Sequence, residues 1–317
     1  MAMSKKILLS GVKPTGRVHI ANYFGAMKQF VDLANEYESY IFIADYHALN
    51  FVKNKKEMQQ NIIDILLDYL AIGLDPKKVT LFKQSDISEH TELAWIFDTI
   101  TTMPYLERAH AYKDAKTKNK EINVGTFNYP MLMAADILLY DPDIVPVGQD
   151  QKQHVEYARD TAEKFNRIFG ETFKLPKEII MKDMENIPGT NGKKMSKSYD
   201  NTIPLFASYE EIKAGVMSIV TDSSGELPKN VYAIHKLIRT ETELKKLYEE
   251  KAGKYKELKE ILIEDLENFI APLREKRKEW EKDIPKALAI LKEGSERAKK
   301  IASKKMEEVR EKIGVKV

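Results

Sequence analysis

Apolar and polar positions along the chain follow two periods. Short unbroken apolar runs have strand length and many branched side chains: KILLS at 6–10, YIFIAD at 40–45, VTLFKQS at 79–85 and IVPVG at 144–148. Between them lie NYFGAMKQFVDLANEY, KEMQQNIIDILLDYLAIG, SEHTELAWIFDTIT and YPMLMAADILLY, whose apolar residues recur every three or four positions. That period gathers the apolar side chains on one face of a helix. Gly73, followed by Asp75 and Pro76, stops the second of these helices and turns the chain. Strands alternating with helices predict a parallel sheet covered on both faces. Such sheets bind ligands beyond the carboxyl ends of their strands.

After about residue 202 the pattern changes. SYEEIKAGVMSIV, NVYAIHKLIR, ETELKKLYEE and KYKELKEILIEDLENFIAPLREKRKEW read as Glu-, Lys- and Leu-rich helices without a strand among them. A last helix runs from Pro285 to about Ile313. The expected organisation is an α/β, Rossmann-like parallel-sheet domain over 1–201 and an all-helical domain over 202–317, whose last helix is free to pack back on the first domain. The join falls in GKKMSKSYDN, 192–201, a cationic loop expected to be mobile. The polar, lysine-rich stretch 107–125 is long enough to be a lid or a disordered loop.

Composition narrows the class. With 43% apolar and 32% charged residues in 317, the chain is an ordinary folded one. Its net charge of +2 makes it no general magnet for polyanions, so any such contact has to come from local clusters. The absence of cysteine excludes disulfides, Fe–S clusters and thiolate zinc sites. No run reaches membrane-spanning length, and the N-terminal apolar run is too short for a signal peptide, so a cytoplasmic protein without a membrane partner is expected. The lysines and arginines at 274, 276, 277, 299, 300, 304 and 305 read mostly as solvated helix faces with partners four residues away.

Three constellations carry candidate chemistry. SGVKPTGRVHIAN, 10–22, joins the first strand to the first helix and sets Thr15, His19 and Asn22 near a helix N-terminus, where free N–H groups favour an anion. A capped strand-to-helix turn accounts for the same residues, and neither a P-loop nor a dinucleotide fingerprint is present. Lys194 and Lys197 are point-charge partners for phosphate, although a solvated loop is the simpler account of the pair alone. In YPMLMAADILLY, Met133, Ala134, Ile137 and Leu138 share an apolar face that Asp136 interrupts. An acid there is as readily a cap or a core salt-bridge partner. His47 ends the second strand, where a single histidine is more often structural than catalytic. The sequence holds no Ser–His–Asp arrangement, no paired-carboxylate spacing and no metal-ligand set.

Taken in order, PTGRVHIAN, YPMLMAADILLY with VPVGQDQKQH, and KMSKS resemble the signatures of class I aminoacyl-tRNA synthetases, and most of all their bacterial tryptophanyl branch. The resemblance extends over nearly the whole chain, including TDSSG at 221–225 and the helical C-terminal region. It implies activation of L-tryptophan by ATP with Mg2+, transfer to tRNA(Trp), a homodimer joined through the sheet domain, and a helical domain that binds the anticodon arm. Carried over by motif, Lys194 and Lys197, with Thr15 and Asn22, act on the phosphates. Lys13, His19, Ala21, Gly148, Asp150, Gln151, Met195 and Ser196 complete the ATP site. Leu9, Gly11, His47, Tyr129, Met133, Asp136, Val145, Val147 and Gln151 form the tryptophan site.

Some positions depart from the family pattern. Ala21 stands in place of glycine, Leu9 in place of an aromatic, Lys13 in place of glutamine, and Ala115 in place of a lysine that Lys113 or Lys116 replaces. The alternatives are a tyrosine-specific synthetase, a small-molecule adenylyltransferase and a non-catalytic tRNA-binding paralogue. Asp136 accepts a hydrogen bond from an indole N–H or from a phenol equally well. Leu9, Met133, Val145 and Val147 favour the indole.

Overall fold

A computed structural model describes residues 5–117, 121–148, 152–180, 187–221 and 227–317. Five parallel strands form one sheet: β1 (Ile7–Val12), β2 (Glu38–Ile43), β3 (Val79–Lys83), β4 (Ile144–Val147) and β5 (Lys177–Ile180). Their order is β3-β2-β1-β4-β5. The first four coincide with the apolar runs of the sequence. The fifth was not expected, because KEII begins with two charged residues and pairs with β4 alone among the described residues. An edge strand buries less and needs less apolar character.

The first helical stretch comprises α1 (Ile20–Asn22), a π-helical turn (Tyr23–Met27) and α2 (Lys28–Leu33). α3 (Asp45–Ala48) and α4 (Lys55–Ala71) link β2 to β3. α5 (Glu89–Ile100), α6 (Met103–Leu106), α7 (His110–Thr117) and α8 (Val124–Leu138) lead to β4, and α9 (Lys152–Phe169) leads to β5. Part of the expected 107–125 loop is therefore helix. His47 lies in α3, just past the strand it was expected to end. The C-terminal helices are α10 (Tyr209–Met217), α11 (Lys229–His235), α12 (Glu241–Glu250), α13 (Tyr255–Glu281) and α14 (Ile284–Lys312).

Alternation along the strands sorts the core into two layers. Leu8, Ile41, Ile43 and Leu81 join a cluster with Phe30, Leu66 of α4 and Leu266 of α13. Leu9, Tyr40, Phe42 and Phe82 face the other way, toward Leu93 of α5, Ile137 of α8 and Phe165 of α9. Side chains two apart on a strand share a face, so each strand feeds both layers.

The last helix straddles the sheet edge. Its early residues Ala287 and Leu291 belong to one layer, and Ala298, Ala302 and Met306 to the other. At the crossing, Gly294 lies so close to β3 that a Cβ there would sit 1.7 Å from the Leu81 carbonyl oxygen. Next to it, Ser295 Oγ accepts the Lys83 N–H at 3.2 Å and donates to Asp86 at 2.9 Å. Arg310 forks onto Glu92 at 2.7 and 2.5 Å. Covering β3 in this way removes an open strand edge.

Some basic residues expected on solvated faces are clamps instead. Arg277 of α13 reaches Asp68 and Asp64 of α4, both at 2.7 Å. Arg274 pairs with Glu267 at 2.5 Å, and Lys305 with Asp141 at 2.6 Å. Lys276, Lys299, Lys300 and Lys304 are exposed, as expected.

Replacing Gly294 by Val has to lift α14 from the strand. We expect a loss of about 1–3 kcal/mol or more, read as a lowered urea midpoint. An unchanged midpoint would show that the close approach carries no stability.

Candidate active site

The sheet reverses its winding between β1 and β4. β1 leads outward to β2, and β4 outward to β5 on the other side. Crevices form at such points, beyond the carboxyl ends of the strands. Here a cleft of about 730 Å³ opens past Gly11–Lys13 at the end of β1 and Val147–Gly148 at the end of β4. At Gly11 a Cβ would come within 2.7 Å of the Phe42 ring, so the packing there requires glycine.

α8 forms one wall. Its N-terminus is capped by Asn123, whose side chain accepts the Thr126 N–H at 2.8 Å. Tyr129, Met133 and Asp136 lie at i, i+4 and i+7 on this helix, so they share one face, and all three line the cleft. Leu9, Gly11, His47, Val145 and Val147 line it too, as do Lys13 and Gly148. The residues expected around tryptophan are thus brought together. Asp150 and Gln151 lie outside the described residues.

Asp136 is 1% exposed in an apolar wall, and its charge is met by three donors. Gln84 Nε2 donates to Oδ1 at 2.7 Å, His90 Nδ1 to Oδ1 at 2.6 Å, and His47 Nε2 to Oδ2 at 2.8 Å. Behind His90, its Nε2 lies 2.9 Å from the Tyr140 hydroxyl. Burial, and then the charge of Asp136, push the Tyr140 pKa well above its ordinary value, so the phenol keeps its proton and donates it. This order leaves the Nδ1–H of His90 pointing at the carboxylate. Burial pushes the Asp136 carboxyl up, but the hydrogen bonds from His47 and His90, with their electrostatic pull, together outweigh it and hold the pKa at about 2. A carboxylate has roughly four acceptor positions. Oδ1 is filled, and Oδ2 retains one. Sequence reasoning found Asp136 and His47 but missed Gln84 and His90. Each sits at the start of a turn or helix after β3, and nothing in the local pattern marks its partnership across the fold.

Next along the wall, the Tyr129 hydroxyl is hydrogen-bonded to Nε2 of His154, a buried residue in the first turn of α9 that also lines the cleft. Sequence reasoning missed His154 too, although it closes the VPVGQDQKQH block.

The first turn and the lysine loop meet beside this cleft. Ile20 N–H donates to the Ile203 carbonyl at 3.0 Å, and Leu205 N–H to the Val18 carbonyl at 2.9 Å. This short pairing holds the two segments together. His19 and Asn22 form a reciprocal cap: Asn22 N–H donates to His19 Nδ1 at 3.3 Å, and His19 N–H to Asn22 Oδ1 at 3.2 Å. Burial, helped by Lys197, lowers the His19 pKa to about 4, so His19 is neutral at pH 7. Lys197 Nζ donates to the carbonyls of Thr15 at 3.0 Å and Gly16 at 2.8 Å. The stem of Lys197 is open to solvent, but its ammonium is tucked against these carbonyls, and desolvation lowers its pKa against the opposing pull of Asp68.

Several residues of the loop are anchored. Met195 is 3% exposed and packs in the core, so its side chain does not line the cleft. Asn201, also buried, accepts the Ser196 N–H at 2.8 Å and donates to the Lys194 carbonyl at 3.1 Å. Lys194 extends into solvent, and Ala21 packs against the core beneath the turn. Ala115 is buried and lines the cleft.

A family model described as tRNA synthetases class I (W and Y) matches residues 2–279. The tryptophan–tRNA ligase of Fusobacterium nucleatum is 48% identical over 316 residues, covering 97% of each chain. A crystal structure of tryptophanyl-tRNA synthetase from Campylobacter jejuni, complexed with ADP and tryptophan, superposes with a TM-score of 0.88 at 42% identity, covering 97% of this chain and 99% of that one. The tryptophanyl-tRNA synthetase structure from Mycoplasma pneumoniae gives 0.87 at 30% identity, covering 98% of each.

The hydrogen-bonded carboxylate has a pH signature. Its folded pKa of about 2 lies below the ordinary 3.8, so its stabilising effect is full above about pH 4 and fades as pH falls toward 2. The stability difference between wild type and Asp136→Asn should therefore shrink by about 2 kcal/mol between pH 5 and pH 2 in urea titrations. A difference that stays constant with pH would show that the carboxylate is not held in this way.

Proposed function

The chain belongs to the class I aminoacyl-tRNA synthetases of the tryptophan and tyrosine group, and we infer from its cleft how it carries out the tryptophan–tRNA ligase reaction. It binds ATP and L-tryptophan and forms tryptophanyl-adenylate. The amino-acid carboxylate attacks the α-phosphorus in line, pyrophosphate leaves, and the tryptophanyl group then passes to the 3′ end of tRNA. No covalent bond to the enzyme is needed, so the protein contributes orientation and charge stabilisation.

The observation that carries the reading is the one open acceptor position on Asp136, set in a cleft otherwise walled by Leu9, Met133, Val145 and Val147. An indole offers a single N–H donor on a large apolar body. A site whose buried acceptor goes unpaired with the wrong ligand discriminates strongly. The tyrosine reading lacks a polar partner at Leu9, where an aromatic hydroxyl would help to hold a phenol.

Toward the phosphates, we assign Lys13, Thr15, Asn22, Gly148, Lys194 and Lys197 to ATP, which enters with Mg2+ as part of the substrate. His19 and Asn22 bond each other, which supports a role in shaping the turn. Neutral His19 adds no charge beside the triphosphate. Lys197 leans on the Thr15 and Gly16 carbonyls, contacts that an incoming phosphate can replace. Asp150 and Gln151 remain assigned by motif to the ribose and to the amino-acid side of the site. The division into a catalytic part, 1–201, and an anticodon-binding part, 202–317, stands as the working assignment. Exposed Lys276 and Lys300 are suited to phosphate contacts, and charge reversal there should weaken tRNA charging while sparing adenylate formation. Exposed Trp95 and Met103, 71% and 65% accessible, support a homodimer joined through the sheet domain, which sedimentation equilibrium would detect. The cytoplasm, where translation uses the product, is the expected place of work.

ATP–pyrophosphate exchange with each of the twenty amino acids tests the reading. Tryptophan should support exchange far better than tyrosine or phenylalanine, and exchange with tyrosine alone would overturn the assignment. In the same assay Lys197→Ala should lose about 2–4 kcal/mol of transition-state stabilisation in kcat, with little change in tryptophan KM. A normal single-turnover rate in that variant would remove Lys197 from the chemistry.

A further inference from the structure

The roles assigned above leave His154 unused. It is buried at the start of α9 and lines the cleft between β4 and α8. Its Nε2 is hydrogen-bonded to the Tyr129 hydroxyl, and the two rings meet edge-on, centroids 5.3 Å apart at 73°. On its other side Tyr129 meets the ring of His47 at 6.2 Å and 82°. His47 in turn holds Asp136, so the contacts run unbroken from His154 to the carboxylate assigned to the indole. Tyr129 stands two helical turns from Asp136 on the same face of α8, nearer the helix N-terminus, and with the indole N–H placed on Asp136 the amino-acid backbone would lie toward Tyr129.

A substrate ammonium brings three donors and no acceptor. A phenol that faces it has to present lone pairs, and its own proton has to be directed elsewhere. Burial, and then Tyr157, raise the Tyr129 pKa, so the phenol does not solve the problem by ionising. We infer that His154 is a positioning residue for amino-acid binding: its Nε2 accepts the Tyr129 O–H proton and thereby makes the phenol oxygen a pure acceptor for the substrate's ammonium group. Had the phenol no such partner, its proton would rotate into the cleft and oppose the ammonium. The inference rests on the reading of this cleft as the amino-acid site. The competing account is packing alone, in which His154 merely fixes α9 against α8.

Two ligands separate these accounts. L-tryptophan and indole-3-propionate share the indole and the carboxylate, but only tryptophan carries the ammonium. Calorimetric binding of both is measured for wild type, His154→Ala, His154→Gln and Tyr129→Phe, with unfolding midpoints alongside. His154→Ala should weaken tryptophan about tenfold to a hundredfold, the range for a hydrogen bond to a charged group, and leave indole-3-propionate within about twofold. His154→Gln, whose side-chain carbonyl can accept the phenol proton, should recover most of the loss. Adding His154→Ala to Tyr129→Phe should weaken tryptophan no further. Equal weakening of both ligands, or full additivity in the double variant, overturns the role of His154 alone. Failure of wild type to bind tryptophan overturns the reading of the cleft, and this role with it.

Discussion

A carboxylate that is 1% exposed in an apolar wall has to be fully provided with donors, and that requirement organises the cleft. Asp136 draws Gln84 from the turn after β3, His90 from α5 and His47 from α3 onto one point of α8. Two of these donors are themselves fixed. Tyr140 backs His90, and Gln84 Oε1 accepts the Tyr46 N–H at 3.0 Å. Removing any one partner would leave a buried charge short of a donor, which costs far more than the bond contributes when made. The same constraint gives the wall its selectivity: with Oδ1 filled and one position open on Oδ2, the site has room for one more N–H.

The second organising contact is geometric. The first turn and the lysine loop lie about 180 residues apart in sequence, yet the backbone pairing of Val18–Ile20 with Ile203–Leu205 sets them side by side. Met195 and Asn201 anchor the loop on either side of Lys197, so the ammonium is delivered to the Thr15 and Gly16 carbonyls by a framed segment. Pre-organised charge of this kind needs little rearrangement as pyrophosphate departs. α14, clamped across the edge of β3, and Arg277, bridging α13 to α4, hold the helical region against the sheet that carries the cleft.

Much of this was legible in the sequence, and the limits have physical causes. β1 to β4 announce themselves because strands buried on both faces are continuously apolar. β5, at the edge, is short and charged at its start, and α7 is a short, strongly polar helix inside a lysine-rich stretch. Met133 and Asp136 could be placed side by side from helical spacing, and Tyr129 joined them through the motif resemblance, which helix geometry bears out by setting all three on one face. Gln84, His90 and His154 could not, since their partnerships run through space between elements far apart in the chain. The burial of Met195 was not legible either, because no periodicity announces a single apolar residue. Arg277 and Lys305 were read as solvated faces because charge pattern does not reveal partners far along the chain, Asp64 and Asp68 of α4 and Asp141 before β4, and Arg274 because its partner Glu267 lies seven residues back rather than four.

The central claim is that the open position on Asp136 receives an indole N–H. It is tested most directly by comparing L-tryptophan with 3-benzothienyl-L-alanine, in which sulfur replaces the N–H with little change in shape. In pyrophosphate exchange the wild-type kcat/KM should fall by about a hundredfold for the sulfur analogue, and Asp136→Ala should nearly abolish that difference. Equal activation of both compounds by the wild-type protein would contradict the account.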